Sequence, residues 1–234
     1  MNRVDGKEQK IPSYDIGIYE TETAENKRIM DSQIENALES YDLGWAYFHE
    51  PLQNAIDSFI DPVEFKPYIP EEGCKIWITM DLDNNRIIIK DNGRGIPTDH
   101  LKDFTKPLVS QKKKSIHFDN IDFRRSVKGF AGLGIKSTIF SSRNFIVKTV
   151  HQGMESVVAI ENGCDFRTWD KDKKIPVNPK PTEDKSGTEI TIVFDDEKES
   201  GKPVSWNQKL LIEFIDSWLD NLNLTAVKSN TIVI

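Results

Sequence analysis

Cysteine is scarce in this chain. Cys74 and Cys164 lie far apart, with no C-x-x-C spacing and no histidine cluster beside either. That excludes a disulfide scaffold, leaves a zinc site without a ligand set and fits a reducing compartment. Long apolar runs are lacking too, and none approaches membrane-spanning length. The charged segment Met1 to Lys10 has no apolar core, so no signal peptide is evident. The expectation is a soluble, cytoplasmic protein. An excess of positive charge is also missing. Lys and Arg number 31 against 38 Asp and Glu, a net charge of −7, which excludes a protein that coats nucleic acid over its whole surface. A local basic groove remains open. Internal repeats and low-complexity tracts are absent.

What is present is enough for a sizeable core: 37% hydrophobic residues, with twelve Phe and five Trp. At 234 residues the chain reads as one large domain with embellishments. Its centre is Ile87-Ile88-Ile89-Lys90-Asp91-Asn92-Gly93-Arg94-Gly95-Ile96-Pro97. Three β-branched residues predict a buried strand. It runs into a carboxylate and a turn with two glycines, which permit positive φ and close approach to a flat ligand. A carboxylate at the end of a buried strand accepts from an exocyclic amine such as adenine's, and is costly to bury without such a partner. Asp-Asn-Gly is equally ordinary hairpin chemistry.

Around this stretch the expected elements fall in order. Residues 1–22 form an arm or a short edge strand, and the domain proper spans 23–234. A helix runs from Thr23 to Ser40, with Ala24, Ile29, Ile34 and Leu38 apolar. Asp42 caps a second helix from Leu43 to Ile60, ended by Asp61-Pro62. On it Glu50, Asn54 and Asp57 stand at i, i+4 and i+7, on one face. Trp45, Phe48, Leu52, Ile56 and Phe59 make much of the remaining surface apolar, so the polar stripe is expected to face a cleft. A solvated outer face is the plain alternative. Pro51 predicts a bend beside Glu50 or a later helix start.

Lys75 to Asp81 and Arg86 to Lys90 read as a β-hairpin leading into the Asp91 turn. A short helix, broken by Pro107, is expected over His100 to Val109. Residues 110–131 are polar and basic (Lys112, Lys113, Lys114, Arg124, Arg125, Lys128) and read as a mobile segment. Lys128-Gly129-Phe130-Ala131-Gly132-Leu133-Gly134-Ile135-Lys136-Ser137-Thr138 reads as a glycine-rich loop opening onto a helix N-terminus, a natural anion site. A P-loop is excluded because Ile135 separates Gly134 from Lys136, and because Asp122 to Lys128 is too charged for the preceding strand. Asn144 to Val150 and Ser156 to Ile160 read as paired strands, 161–185 as a long hairpin loop, and Ser186 to Phe194 as a strand. A helix over Trp206 to Asn221 and a strand over Thr231 to Ile234 complete the reading.

Taken in order, Glu-x3-Asn-Ala-x-Asp on a helix, Asp-x-Gly-x-Gly after a strand, Gly-x-Gly-x-Lys-Ser before a helix and a late Gly-Thr resemble the GHKL ATPase superfamily. That superfamily holds gyrase B, the heat-shock chaperone ATPases, histidine kinases and MutL. The likeness covers roughly Asp42 to Phe194. The text from Gly132 to Ser137 is most similar to the microrchidia-like and chaperone-like branches. The resemblance implies an α/β fold, a two-layer α/β sandwich of the Bergerat type with a mixed, largely antiparallel sheet. ATP would lie between helices and sheet, and 110–131 would be the ATP lid.

By the same resemblance Asp91 takes the adenine amine and Thr188 supports that pocket through a water. Gly93 and Gly95 let the backbone approach the base, with Ile96 beside them. Asn54 coordinates Mg²⁺ bridging the phosphates, a role that suits an amide oxygen, and Asp57 belongs to the same cofactor-binding set. Gly129, Gly132, Leu133, Gly134, Ile135, Lys136 and Ser137 hold the β- and γ-phosphates, with Lys136 counted as catalytic. Glu50 orients the attacking water as general base.

That Glu50 favours hydrolysis over histidine-kinase-like phosphotransfer, since histidine kinases generally lack a glutamate at this position. A non-catalytic ATP-sensing module is the other alternative. Many family members use a lysine from a following transducer domain, and the chain ends at Ile234, where such a domain would begin. The expectation is therefore an excised domain or one that works with another polypeptide, hydrolysing ATP slowly alone and open to ATP-dependent homodimerisation. The basic lid leaves nucleic acid possible, though the acidic balance does not support it.

Overall fold

The computed structural model describes residues 13–17, 24–40, 43–61, 66–81, 84–103, 134–169, 173–194, 226–228 and 231–233. In chain order the elements are β1 (Tyr14–Gly17), α1 (Ala24–Ser40), α2 (Leu43–Asp57), β2 (Ile76–Asp81), β3 (Arg86–Asp91), α3 (Gly134–Ser141), β4 (Asn144–His151), β5 (Met154–Glu161), β6 (Lys174–Val177), β7 (Lys180–Pro181), β8 (Gly187–Val193), β9 (Ala226–Lys228) and β10 (Thr231–Val233). Single 3-10 segments cover Thr98–Asp103 and Gly163–Thr168.

Eight strands form one sheet in the order β7-β5-β4-β8-β3-β2-β10-β9, and β1 pairs with β6 in a separate two-stranded ribbon. Every described pairing is antiparallel. Helices α2 and α3 pack on each other, α1 packs on α3, and α2 and α3 meet β3, β8 and β4. The result is a helical layer against an antiparallel sheet, the two-layer α/β sandwich expected from the sequence.

Period-2 alternation puts successive residues on opposite sheet faces, and the register aligns the inward ones into rows. Met80, Ile87, Ile192, Phe145 and Ile160 form one row; Ile78, Ile89, Ile190, Val147 and Val158 form the next. All ten are buried. Each contributes roughly 1.5–3 kcal/mol by leaving water, so these rows hold the helical layer to the sheet. The third row along the same face reads Ile76, Asp91, Thr188, Thr149 and Ser156. It is buried as well, yet four of its five side chains are polar.

Several expectations change. Helix α2 ends at Asp57 rather than Ile60, because Ser58 and the residues after it turn back. Pro51 lies inside that continuous helix and is buried, so the helix does not begin later. Ile29 on α1 is 52% exposed and faces away from the core. Residues 161–185 do connect β5 to β8, but they are not an irregular loop: they hold a 3-10 segment and two strands. In β6, Ile175 and Val177 are buried while Pro176 sits where β1 is the strand's partner, the edge setting that tolerates proline. Of the expected helix over His100 to Val109, the described residues form part of a 3-10 segment, Thr98–Asp103, and 104–109 lie outside the described residues. The lid 110–131, Gly129, Gly132, Leu133, Asp42 and the helix over Trp206 to Asn221 lie outside the described residues. No helix among the described residues is long and apolar enough to cross a membrane.

Candidate functional site

The polar row leads to the site. Strand β3 delivers Asp91 to its end, 5% exposed. The Gly93 N–H donates to Asp91 Oδ1 at 2.9 Å, and Ser58 Oγ lies 3.0 Å from the same oxygen. Both donors converge on Oδ1, so Oδ2 takes neither. Burial pushes the Asp91 carboxyl up to about 7, against the lowering effect of hydrogen bonds from the Gly93 N–H, Ser58 and the Thr188 backbone. No described ion pair neutralises it. Ser58 Oγ also lies 2.6 Å from the Ala55 carbonyl oxygen. One hydroxyl proton serves only one acceptor at a time, so Ala55 and Asp91 compete for the Ser58 proton.

The glycines of the turn act differently from one another. A Cβ on Gly93 would stand 1.9 Å from Ser58 Oγ, so its missing side chain makes room for the Ser58–Asp91 contact rather than for a base. Gly95 has φ +72°, and a Cβ there would stand 2.0 Å from the Val150 carbonyl oxygen. The turn is thus pressed onto β4. Three bonds pin it further. The Ile96 N–H donates to Thr149 Oγ1 at 2.8 Å, His151 Nδ1 donates to the Arg94 carbonyl at 2.8 Å, and the Arg94 N–H donates to the Ser58 carbonyl at 3.2 Å. A carbonyl only accepts, so His151 carries a proton on Nδ1.

On the neighbouring strand Thr188 is 6% exposed and sits directly across from Asp91. Its Oγ1 lies 3.2 Å from Thr149 Oγ1, which in turn lies 3.2 Å from the Gly187 carbonyl oxygen.

Helix α2 carries the other predicted residues. The Ser58 N–H bonds the Asn54 carbonyl, so Ser58, Asn54 and Glu50 recur every four residues along one face, at steps of about 6 Å. Ser58 touches Asp91, so one end of this face meets the polar row. Glu50 and Asn54 are half-buried and Asp57 is buried, so the stripe is not a solvated outer face. Asp57 accepts from Gln53 Nε2 at 2.9 Å, which ties it into the helix itself. Gly134 opens α3; Lys136, Ser137 and Thr138 are buried in its first turns, and Ile135 packs against the core. Because α3 packs on α2, the end of the predicted phosphate segment, from Gly134 on, lies on the helical layer that also carries Glu50 and Asn54.

Among the described residues no group of three His, Cys, Asp or Glu side chains is placed to hold a metal. The amide oxygen of Asn54 is of the hard type that Mg²⁺ takes as a ligand.

Sequence reasoning missed Ser58 and Thr149. Ser58 had a signal, continuing the Glu50–Asn54 spacing by one more turn. Thr149 had none, because only the register of β4 against β8 brings it to Thr188.

A sequence model of the histidine kinase-, DNA gyrase B- and HSP90-like ATPases matches residues 47–198, more than half of the chain. The chain belongs to this ATPase family. The matched span holds Glu50, Asn54, Asp91, Lys136 and Thr188. Among solved structures, the ATPase region of Saccharomyces cerevisiae topoisomerase II bound to ICRF-187 is similar at a TM-score of 0.50 and 21% identity, over 71% of this chain and 41% of that one. The ATPase and transducer domains of Balamuthia mandrillaris DNA topoisomerase II align with a TM-score of 0.49 and 22% identity, over 69% and 39%. The chain spans about two fifths of the length of these structures, and at 21% identity the likeness to the first speaks for the fold alone. No curated protein matches the chain in sequence.

Proposed function

We propose that this chain binds ATP between the helical layer and the sheet and hydrolyses it to ADP and phosphate. The observation that carries the reading is Asp91: a buried carboxylate with a backbone N–H and a serine hydroxyl on one oxygen, no described cation beside it, and a row of hydroxyls continuing from it. Such a group is stable when a ligand donates to it, and the adenine amine is the donor that the family membership supplies. Asp91 and Thr188 read the base, with Gly95 and Ile96 holding the turn against β4. Asn54 holds Mg²⁺, which on binding shields the phosphate charge for in-line attack. Glu50 orients and deprotonates the attacking water, its half-buried place on α2 keeping it on the same helical face as Asn54. Lys136 and the glycines before it neutralise the β- and γ-phosphates.

We further propose that the segment 110–131 closes over bound ATP and that closure favours a second copy of the chain, in the cytoplasm. A lysine from a transducer domain or partner would then complete the site, so hydrolysis by the chain alone is slow.

The test is phosphate release with ATP and Mg²⁺ by the wild-type chain and Glu50→Ala, beside nucleotide-binding calorimetry on both. Release that depends on Glu50, with binding retained in the variant, supports the hydrolase. Binding with release unaffected by Glu50→Ala supports a non-catalytic sensor. Absence of binding rejects the reading.

A further inference from the structure

Thr149 stands at a junction of three segments: its own strand β4, the Arg94–Ile96 turn and the start of β8. It is 1% exposed, and its hydrogen bonds leave little freedom. A hydroxyl has one proton and two lone pairs. One lone pair takes the Ile96 N–H at 2.8 Å. The Gly187 carbonyl at 3.2 Å can only accept, so the Thr149 proton goes there. The remaining contact, Thr188 Oγ1 at 3.2 Å, is favourable only if Thr188 donates into the second Thr149 lone pair. Thr188 has then spent its proton and presents only lone pairs on its other side. Asp91, opposite Thr188 in the register, is in its ionised form an acceptor only as well.

We propose that Thr149 is a positioning residue for base recognition: by fixing Thr188 as an acceptor beside Asp91, it makes the pocket prefer adenine over guanine. Two adjacent acceptors match the amine of adenine and repel the carbonyl oxygen that guanine carries at the same place. A bridging water preserves this polarity. If it donates one proton to Asp91 and the other to Thr188, it too offers only a lone pair to the base. In Thr149→Val the shape is kept but the hydroxyl is lost. Thr188 is then free to rotate its proton toward the base, and the discrimination weakens.

This inference rests on the ATP-binding reading and is tested by calorimetry with ATP and with GTP, Mg²⁺ present. The variants are Thr149→Val, Thr149→Ser and Thr149→Cys. The expected result is a fall of about tenfold in the ATP-to-GTP affinity ratio for Thr149→Val, the size of one lost hydrogen bond. Thr149→Ser, which keeps the hydroxyl, is expected to restore the ratio to within about twofold of wild type. Thr149→Cys keeps a weaker donor at similar volume, is expected to fall between, and reads the same ratio if the valine variant does not fold. A purely structural Thr149 would weaken both nucleotides equally and leave the ratio unmoved, which overturns the inference while ATP binding itself stands. A wild-type chain that binds neither nucleotide overturns both readings.

Discussion

Asp91 and Glu155 are both buried carboxylates of the same sheet, 5% and 4% exposed, but their surroundings differ in kind. Glu155 on β5 is clamped by Lys148 Nζ at 2.7 Å and Lys180 Nζ at 2.8 Å, one lysine on β4 and one on β7. Hydrogen bonds from these two ammonium groups outweigh its burial and hold its carboxyl below the usual range. Asp91 has a backbone N–H and a hydroxyl on one oxygen, and burial wins. A carboxylate that serves the fold carries its counter-charges with it, joining three strands at the sheet's edge. One that serves a ligand is left short of donors until the ligand arrives. The contrast is drawn without any bound molecule, and it supports the proposal that the nucleotide site lies at the polar end of the rows.

The largest effect expected is on binding. Asp91→Asn keeps the contacts of Oδ1, since an amide oxygen accepts from Gly93 and Ser58, but turns a donor toward the base. Calorimetry should show ATP affinity lost by about a hundredfold or more, because a buried site built to accept is left facing a second donor. Glu155→Gln, in the same experiment, should leave affinity within about twofold of wild type. Equal losses in the two variants would erase the distinction drawn between them.

Next in size is Gly95→Ala, which drives a Cβ into the Val150 carbonyl at a positive φ. It should destabilise the chain by about 2–3 kcal/mol in urea unfolding. An unchanged midpoint would mean that the turn is not pressed onto β4.

Smaller is Glu155→Gln itself, worth about 1 kcal/mol at neutral pH because both lysine heads are largely exposed. Its sign follows from the lowered carboxyl. The stabilisation is present above the ordinary glutamate pKa and lost as pH falls through the lower folded value, so the difference from wild type should vanish in acid. Asp91 runs the other way. Its folded pKa of about 7 lies above the ordinary 3.8, so the folded chain holds the extra proton between those values and loses stability as pH rises across the window. Without nucleotide, Asp91→Asn should therefore melt higher than wild type at pH 8 and show no advantage at pH 4.

Much of this fold is legible in the sequence. The Ile87–Ile89 run, the hairpin before it and the alternation from Gly187 to Phe194 each carry a strong local pattern, and β2, β3 and β8 stand where that pattern put them. Local pattern was weakest where proline intervened: Pro176 hid β6, and Pro51 cast doubt on a helix that runs straight through it. The row structure was not legible at all. Which inward residue faces which depends on register, a non-local property, so Asp91 and Thr188 could be named separately but Thr149 could not be joined to them. Ser58 continues the Glu50–Asn54 spacing by one more turn, but that spacing alone does not tell a serine that meets Asp91 from one on the surface.

The most direct test of the contrast is a carboxyl-carbon NMR titration of Asp91 and Glu155 in the intact chain, with and without ATP and Mg²⁺. The account predicts that Asp91 titrates near 7 in the free protein and moves down when ATP binds, as the base donates to it, while Glu155 stays low in both states. An Asp91 that titrates in the ordinary carboxylate range and does not respond to ATP would contradict it.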